Sequence, residues 1–259
     1  MERLAADLLL GAHRDRVPCA PVRDLIGAAD VVTAYEVQRL VTAARCSAGA
    51  AVVGRKIGLT SEAVRTQLGV DSPDFGVLLD DMAMTEDWPI PLDLLLQPRI
   101  EAEVAFVLSD DVDDPDVDLA GVVAYASPAL EVVDSRIAGW DITLGDTIAD
   151  NASSGLFVLG RAKVPLAEFD PVATRMVMTR GGEVVSRGTG ADCLGDPLAA
   201  LRWLAVTACE TGSPLLGGQV VLSGALGPMV AVRGGDAFRA HLTGLGDVSA
   251  SFTTREDRA

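Results

Sequence analysis

One stretch combines the apolar pattern of a β-strand with two carboxylates, namely Gln97 to Leu108 (QPRIEAEVAFVL). Alternation of successive side chains places Glu101 and Glu103 on the same face. The other positions of both faces are mostly apolar, so we expect a strand that is buried on its two sides. Residues two apart on a strand lie about 7 Å apart, which allows two glutamates that lean together to share one ion.

Helical periodicity is concentrated in the first part of the chain. Residues 2–16 have the pattern of a helix, and a second amphipathic helix is predicted from about Thr33 to Gly49, which ends it. Later helices are predicted from Ser61 to Leu68, through Val122 and Ala126, and from Pro197 to Gly212 with Asp196 as its N-cap.

Between these helices the pattern predicts short strands and glycine-rich turns. The predicted strands are Ala51–Leu59, Pro128–Val133, Leu156–Leu159, a hairpin within 172–187 and several short strands after Gln219. The segment from Gly69 to Met82 is rich in turn residues, which places Asp74 in a loop. The sequence therefore predicts an α+β protein with a helical N-terminal region at 1–48 and a β-rich domain at 49–259.

Composition and charge reduce the number of functional classes that the chain can belong to. The chain has 259 residues, 49% hydrophobic composition and a formal charge of −16. This acidity argues against a nucleic-acid surface, which needs basic patches. The first residues lack the uninterrupted apolar core of a signal peptide, and no stretch has the roughly 18 apolar residues of a membrane span. Four cysteines without CxxC spacing indicate buried thiols in a reducing cytosol, so we expect a cytoplasmic protein.

The paired glutamates are the first candidate for chemistry, and three interpretations stay open. They bind a divalent metal, they form a salt-bridge network with Arg99 or Arg136, or they lie at a solvated strand end. A third carboxylate, Glu131, lies in another apolar run and favours the metal. Three carboxylates with no histidine or thiol nearby suit a hard ion, Mg²⁺ or Mn²⁺, better than zinc.

Two further polar residues have both an ordinary and a functional interpretation. Lys56 lies in the middle of a predicted strand, where it is either an edge residue that reaches solvent or a buried ammonium that faces an anion. Asp74 is either a turn residue or a catalytic acid or base beside a pocket. His13 is expected to be exposed and without a catalytic role. A serine hydrolase is rejected because Asn151 stands where GxSxG requires its first glycine.

Six ordered motifs resemble the 2-hydroxypenta-2,4-dienoate (2-keto-4-pentenoate) hydratases of aromatic meta-cleavage pathways, within the fumarylacetoacetate hydrolase superfamily. The resemblance extends from Tyr35 to Phe252. The motifs are KIGLTS (Lys56–Ser61), GVDSPDFG (Gly69–Gly76), EAE (Glu101–Glu103), ALEVVDSRI (Ala129–Ile137), DTIADNASSG (Asp146–Gly155) and SGALGPM (Ser223–Met229).

The resemblance implies the mixed, β-rich fold of that superfamily, a homo-oligomer and a set of site residues. Glu101, Glu103 and Glu131 are implied as ligands of Mg²⁺ or Mn²⁺. Lys56, Asp74 and a serine of the NASSG segment, for which we take Ser153 rather than Ser154, are implied to line the substrate cleft.

The function that follows is a hypothesis. A hydro-lyase would add water to 2-hydroxypenta-2,4-dienoate and give 4-hydroxy-2-oxopentanoate, through an enolate that the chelating metal stabilises. Two alternatives stay open. A decarboxylase of the 4-oxalocrotonate type shares the metal triad and the lysine, and a non-catalytic scaffold for a pathway enzyme would need the acidic residues only for stability.

Overall fold

The structure is a computed structural model, and it describes residues 1–61, 72–114 and 116–254. The helix predicted from Ser61 to Leu68 lies outside these residues beyond Ser61 itself. The helices are α1 (Glu2–Asp15), α2 (Arg23–Ile26), α3 (Val31–Ser47), α4 (Leu119–Val122), α5 (Leu144–Ala149) and α6 (Pro197–Glu210).

Twelve strands are present in the described part of the chain. They are β1 (Val52–Gly58), β2 (Asp74–Leu79), β3 (Ala83–Met84), β4 (Arg99–Leu108), β5 (Val123–Val133), β6 (Ser154–Leu159), β7 (Arg175–Arg180), β8 (Glu183–Thr189), β9 (Val220–Leu222), β10 (Val230–Ala231), β11 (Ala237–Leu242) and β12 (Gly246–Ser251). The α+β class and the helical N-terminal region predicted from the sequence are confirmed.

The strands form two sheets that share one core. The first has eight strands in the order β2-β1-β9-β4-β5-β6-β3, with β10 paired to β4, and the second has four in the order β12-β11-β7-β8. Strands β11 and β12 pack against β5. Phe106 and Leu130 of the first sheet and Phe238 of the second are fully buried in the shared core. The long antiparallel pair β4–β5 therefore lies at the centre of the molecule.

A separate apolar cluster joins the N-terminal helices to α5. Leu9 of α1, Val37 of α3 and Ile148 of α5 are buried in it. Of the helices that the structure describes, none has the length and apolar content needed to cross a membrane.

The first strand runs unusually close to a neighbour. β1 is antiparallel to β2 on one side and parallel to β9 on the other, with Gly54 opposite Val220. A Cβ atom at Gly54 would lie 2.0 Å from the carbonyl oxygen of Val220. Only glycine fits at this position, because the side chain of any other residue would force the two strands apart.

Three predictions about individual residues are wrong. Asp74 does not lie in a loop but begins β2, because pairing with β1 extends the strand into the turn-rich segment. Ala126 belongs to β5 and not to a helix. An apolar run that is buried on both faces lacks the periodicity that would distinguish a strand from a helix. His13 is half-buried and not exposed, because it faces α3 across a cavity that Val41 and Arg45 also line.

The expectation of buried thiols holds for one cysteine. All four cysteines are free, but Cys193 is buried and Cys46 is exposed. Cys46 lies in the last turn of α3, on the side that faces solvent.

Candidate metal and catalytic site

Three glutamates come together at the centre of the larger sheet. Glu101 of β4 lies directly opposite Glu131 of β5, and Glu103 follows on the same face of β4. One carboxylate oxygen from each residue lies within 4.8 Å of those of the other two. All three side chains are buried, with Glu103 completely inaccessible to solvent. The strand pairing thus gathers three carboxylates into a space suited to one cation.

The carboxylates of this triad lack ordinary partners. Gly224 N–H donates to Oε2 of Glu103 at 2.7 Å, but Oε1 of Glu103 and both oxygens of Glu131 have no hydrogen bond. Burial, together with the charges of Glu131 and Glu101, raises the pKa of Glu103 well above its usual range. Burial and the charge of Glu131 raise the pKa of Glu101 to about 7. Buried oxygens without donors are costly unless a cation or a proton satisfies them, so the residues fit a bound metal.

Lys56 supplies one positive charge to this group. Its Nζ atom lies 3.3 Å from Oε1 of Glu131, as an ion pair without hydrogen-bond geometry, and the side chain is 3% exposed. Burial disfavours the ammonium, but the charges of Glu131 and Asp74, with those of the other two glutamates, raise the pKa of Lys56 above its usual value. Lys56 is therefore a buried cation and not a surface residue.

Asp74 faces the same space from the next strand. It lies opposite Gly58, and a Cβ atom at Gly58 would lie 2.2 Å from Oδ1 of Asp74. The absence of a side chain at Gly58 makes room for the carboxyl group. Oδ1 has no hydrogen bond, and burial, opposed by Lys56, raises the pKa of Asp74 to about 6. This carboxyl group can therefore gain and lose a proton near neutral pH.

A left-handed segment carries the candidate serine. Asn151, Ala152 and Ser153 have φ angles of 56°, 50° and 53°, an arrangement that costs non-glycine residues on the order of 1–3 kcal/mol each and is typical of functional sites. The Asn151 side chain clamps this segment to β2, since it accepts from Val77 N–H at 2.7 Å and donates to Val77 C=O at 2.9 Å.

The two adjacent serines face different cavities. Ser153 lines the same cavity as Lys56 and Asp74, and its hydroxyl lies 3.3 Å from that of Thr147. Ser154 lines a second cavity, beside His13, and its hydroxyl has no hydrogen bond.

The cavity over the triad has a volume of about 480 Å³. Lys56, Asp74, Glu101 and Ser153 line it, while Glu103 and Glu131 lie deeper. Arg99 also lines the cavity, with its guanidinium 4.4 Å from the ring centroid of Trp140. Its position follows from strand alternation, because Arg99 precedes Glu101 by two residues on the same face.

Neither arginine of the salt-bridge interpretation neutralises the triad. Arg136 Nε donates to Asp150 Oδ1 at 2.5 Å, and Arg136 Nη1 donates to the carbonyl of Ser154 at 2.6 Å. Arg99 contacts Trp140 and the sulfur of Met229. In the part of the chain that is described, the ion pair of the triad is with Lys56.

Sequence reasoning missed the acidic residues that support the site. Asp146 accepts hydrogen bonds from the backbone of Val22 and Arg23, at 2.9 and 2.8 Å, and so ties α5 to the N-terminal helices. Asp134 accepts from the backbone of Leu96 and Gln97 just before β4. The sequence analysis also did not identify Thr147 and Trp140 as residues that line the cavity. Asp134, Asp146 and Thr147 lie within the motifs of the family resemblance, which is the signal that could have identified them, whereas Trp140 lies outside those motifs.

Comparison with known proteins gives matches over most of the chain. Residues 39–253 match the family described as Fumarylacetoacetate (FAA) hydrolase C-terminal. A "TodF product hydratase" from Pseudomonas putida is 54% identical over 96% of this chain and 94% of the relative. A "2-keto-4-pentenoate hydratase" from Burkholderia vietnamiensis is 52% identical over 90% of each chain.

Among solved structures, the 4-oxalocrotonate decarboxylase from Pseudomonas putida G7, complexed with magnesium and adipate, superimposes with a TM-score of 0.92. It is 32% identical to this chain, and the match covers 96% of both chains.

Proposed function

This chain belongs to the fumarylacetoacetate hydrolase family, and from that premise we propose that it is a metal-dependent hydro-lyase that hydrates 2-hydroxypenta-2,4-dienoate to 4-hydroxy-2-oxopentanoate. The observation that carries the proposal is the buried triad of Glu101, Glu103 and Glu131 beside Lys56 and Asp74. The similarity to proteins named 2-keto-4-pentenoate hydratase supports the choice of reaction. A role in the catabolism of aromatic compounds is part of the same proposal.

The proposed cofactor is Mg²⁺ or Mn²⁺. When the three glutamates are ionised, their charge exceeds that of the Lys56 ammonium by two, which a divalent cation would neutralise. A donor set of carboxylate oxygens alone is the type that these hard ions prefer. When bound, the ion supplies Lewis acidity toward the oxygens of a 2-oxo or 2-hydroxy acid.

Lys56 and Asp74 have separate proposed roles in the reaction. The Lys56 ammonium, which stays protonated, stabilises negative charge that develops on the substrate oxygens. Asp74 has an oxygen without a hydrogen bond and a pKa of about 6, so it can deliver a proton to carbon and accept one from water. The dienol loses its 2-hydroxyl proton and gains a proton at C5, which gives 2-oxopent-3-enoate. Water then adds its hydroxyl group at C4, and the remaining proton of the water is gained at C3.

Ser153 is proposed to position the substrate. Its hydroxyl lies beside that of Thr147 at the wall of the cavity, where it can orient either a substrate oxygen or the attacking water. All the proposed catalytic residues lie within 49–259, which we propose as the catalytic domain. We also propose a homo-oligomer, as the family resemblance implies, and a cytoplasmic location, which the free cysteines favour.

Arg99 favours a second candidate function. Its guanidinium lines the cavity and forms no ion pair with a carboxylate of the described residues. A 2-oxo diacid carries a second carboxylate that Arg99 could bind, as a decarboxylase of the 4-oxalocrotonate type would require. The similarity in structure to such a decarboxylase is consistent with this alternative.

One assay separates the candidates. Metal-free protein is incubated with Mg²⁺ and 2-hydroxypenta-2,4-dienoate, and the loss of dienol absorbance is compared with CO₂ release from 4-oxalocrotonate. A hydratase consumes the dienol and releases no CO₂. Faster turnover of the diacid with CO₂ release favours the decarboxylase, and inactivity toward both substrates contradicts both enzymes.

A further inference from the structure

Strand β1 carries a second buried cation on the face opposite the catalytic one. Lys56 faces the metal triad, and the preceding residue, Arg55, points to the other side of the sheet. Arg55 is 8% exposed, and it lies opposite Val77 in the pairing of β1 with β2. The Arg55 side chain and the candidate active site therefore lie on opposite faces of the sheet.

Among the described residues, the guanidinium of Arg55 has only neutral hydrogen-bond partners. It donates to the carbonyl of Gly54 at 3.2 Å and to the hydroxyl of Ser213 at 3.0 Å, and both acceptors are neutral. No carboxylate in residues 1–61, 72–114 or 116–254 forms an ion pair with it, and burial lowers its pKa. A buried charge is costly without a counter-ion, so this arginine marks a position where an anion would be favourable.

Arg55 borders a cavity of about 630 Å³ between α3 and the sheet. The aromatic rings of Tyr35 and Phe75 stack at 4.7 Å between centroids and form one wall. Val77 and Val52 add apolar surface, and Ser213 lies at the rim near Arg55. The cavity therefore combines one buried cation with an aromatic and aliphatic lining, while Glu2 and the ion pair of Glu36 with Arg39 lie at its exposed side.

We propose that this cavity, the Arg55 cavity, binds a small organic carboxylate whose body is apolar or aromatic. Arg55 pairs with the carboxylate, and the Tyr35–Phe75 stack contacts the body of the ligand. Five N–H donors in a planar fork suit a carboxylate, and aromatic walls suit an unsaturated or cyclic body. Because Phe75 directly follows Asp74 on β2, an occupant would contact the strand that carries a proposed catalytic group.

The first experiment locates the ligand. Crystals of the Mg²⁺-loaded protein are soaked in 4-bromobenzoate, and the anomalous signal of bromine gives its position. The expected result is a bromine in the Arg55 cavity with the carboxylate on the guanidinium. A probe found only on the metal side of the sheet, or a carboxylate of a second copy of the chain seated on Arg55, would overturn the proposal.

The second experiment measures affinity in solution by calorimetry with the same probe. Arg55→Met is expected to weaken binding by at least about 10-fold, since it removes a charge-assisted pair. Arg239→Gln is the matched control, because Arg239 is a strand arginine outside this cavity that is exposed and pairs with Asp247 at 2.8 Å. Lys56→Met is expected to retain binding, and 4-bromobenzyl alcohol, which lacks the charge, is expected not to bind.

A purely structural Arg55 would give different results. In that case Arg55→Met lowers the melting temperature and leaves the affinity of folded protein for the probe unchanged. The proposal expects Arg55→Met to be at least as stable as the wild type without anion, because replacing an unpaired buried charge by an apolar side chain removes its desolvation cost. Equal affinity in the two proteins, or binding only at crystal concentration, would contradict the proposal.

Discussion

Glu101 and Glu131 occupy directly opposite positions in the antiparallel pairing of β4 with β5. Like charges in such cross-strand pairs are destabilising, and here both are buried. The ionised pair is therefore expected to be repulsive until a cation or a proton neutralises it. Metal affinity and sheet stability are coupled through this pair.

Glu131→Gln tests that coupling. The substitution removes one charge with little change of shape, so metal affinity should fall by more than the roughly 10- to 100-fold typical of losing a supporting residue. Without metal, relief of the repulsion and loss of the ion pair with Lys56 act in opposite directions, so stability should change less than metal affinity does. Calorimetric titration with Mg²⁺ and thermal denaturation measure the two effects. Glu168→Gln, at an exposed position, is the control, and unchanged affinity in Glu131→Gln would remove Glu131 from the site.

Asp74→Asn separates proton transfer from metal binding. The amide cannot exchange a proton at neutral pH, so kcat should fall by about 10²- to 10⁴-fold. Mg²⁺ affinity should change far less, because Asp74 is not part of the triad. Steady-state kinetics and titration measure the two quantities, with the exposed Asp24→Asn as the control. Full activity of Asp74→Asn would exclude Asp74 from the mechanism.

Gly58→Ala tests the close contact between β1 and Asp74. The new Cβ would lie 2.2 Å from Oδ1 of Asp74, so the carboxyl group must move. A displacement of about 1 Å at a catalytic group costs about 10² in rate, and kcat should fall accordingly. Gly121→Ala is the control, because its Cβ would have an ordinary contact of 3.8 Å. Wild-type kcat in a folded Gly58→Ala protein would mean that this contact does not position Asp74.

The buried pair of Arg136 and Asp150 predicts a non-additive effect on stability. Arg136→Met leaves Asp150 buried and unpaired, and the free energy of unfolding should fall by about 3–5 kcal/mol. Arg136→Met/Asp150→Leu should lose less, because no charge then stays buried. Urea unfolding measures both variants, and the exposed Arg14→Gln should leave the midpoint unchanged. A double variant that loses at least as much as Arg136→Met alone would refute this account.

His13 predicts a pH dependence of stability. Burial, followed by the charges of Arg45, Arg16 and Arg136, lowers the pKa of His13 to about 3, below its usual 6.5. The unfolded chain therefore binds a proton that the folded chain does not, and stability falls as the pH decreases from about 6.5.

His13→Gln should make this decrease shallower. The difference should be smaller than the roughly 1.4 kcal/mol per pH unit of a full proton, because the ring is partly exposed. Urea unfolding between pH 6.5 and 4.5 measures it, and the exposed Arg14→Gln should behave as wild type. Parallel curves for His13→Gln and wild type would contradict the lowered pKa.

The sequence predicted the elements of the triad well because they depend on local patterns. An apolar run with period two predicts β4, and acidic residues inside buried strands need a partner whatever the remaining fold. The structure brings together Glu101, Glu103 and Glu131 as the sequence analysis expected. Their role as metal ligands stays a prediction, as do the roles of Lys56, Asp74 and Ser153.

The features that the sequence did not predict depend on contacts between segments that are distant along the chain. Asp74 lies in a strand because β1 pairs with it, and nothing within Gly69–Met82 encodes that partner. Arg99 and Trp140 meet at the cavity although 41 positions separate them in the sequence. The burial of His13 depends in the same way on α3. Tertiary pairing overrides local propensity at these positions.

The close approach of β1 to β9 at Gly54 also has a consequence for folding fidelity. If β1 paired one residue out of register, Val53 or Arg55 would occupy the place that admits no side chain, and Lys56 and Arg55 would exchange faces. Such a misaligned chain could not close the sheet. The close approach at Gly54 therefore selects one strand register, the one in which Lys56 faces the glutamates.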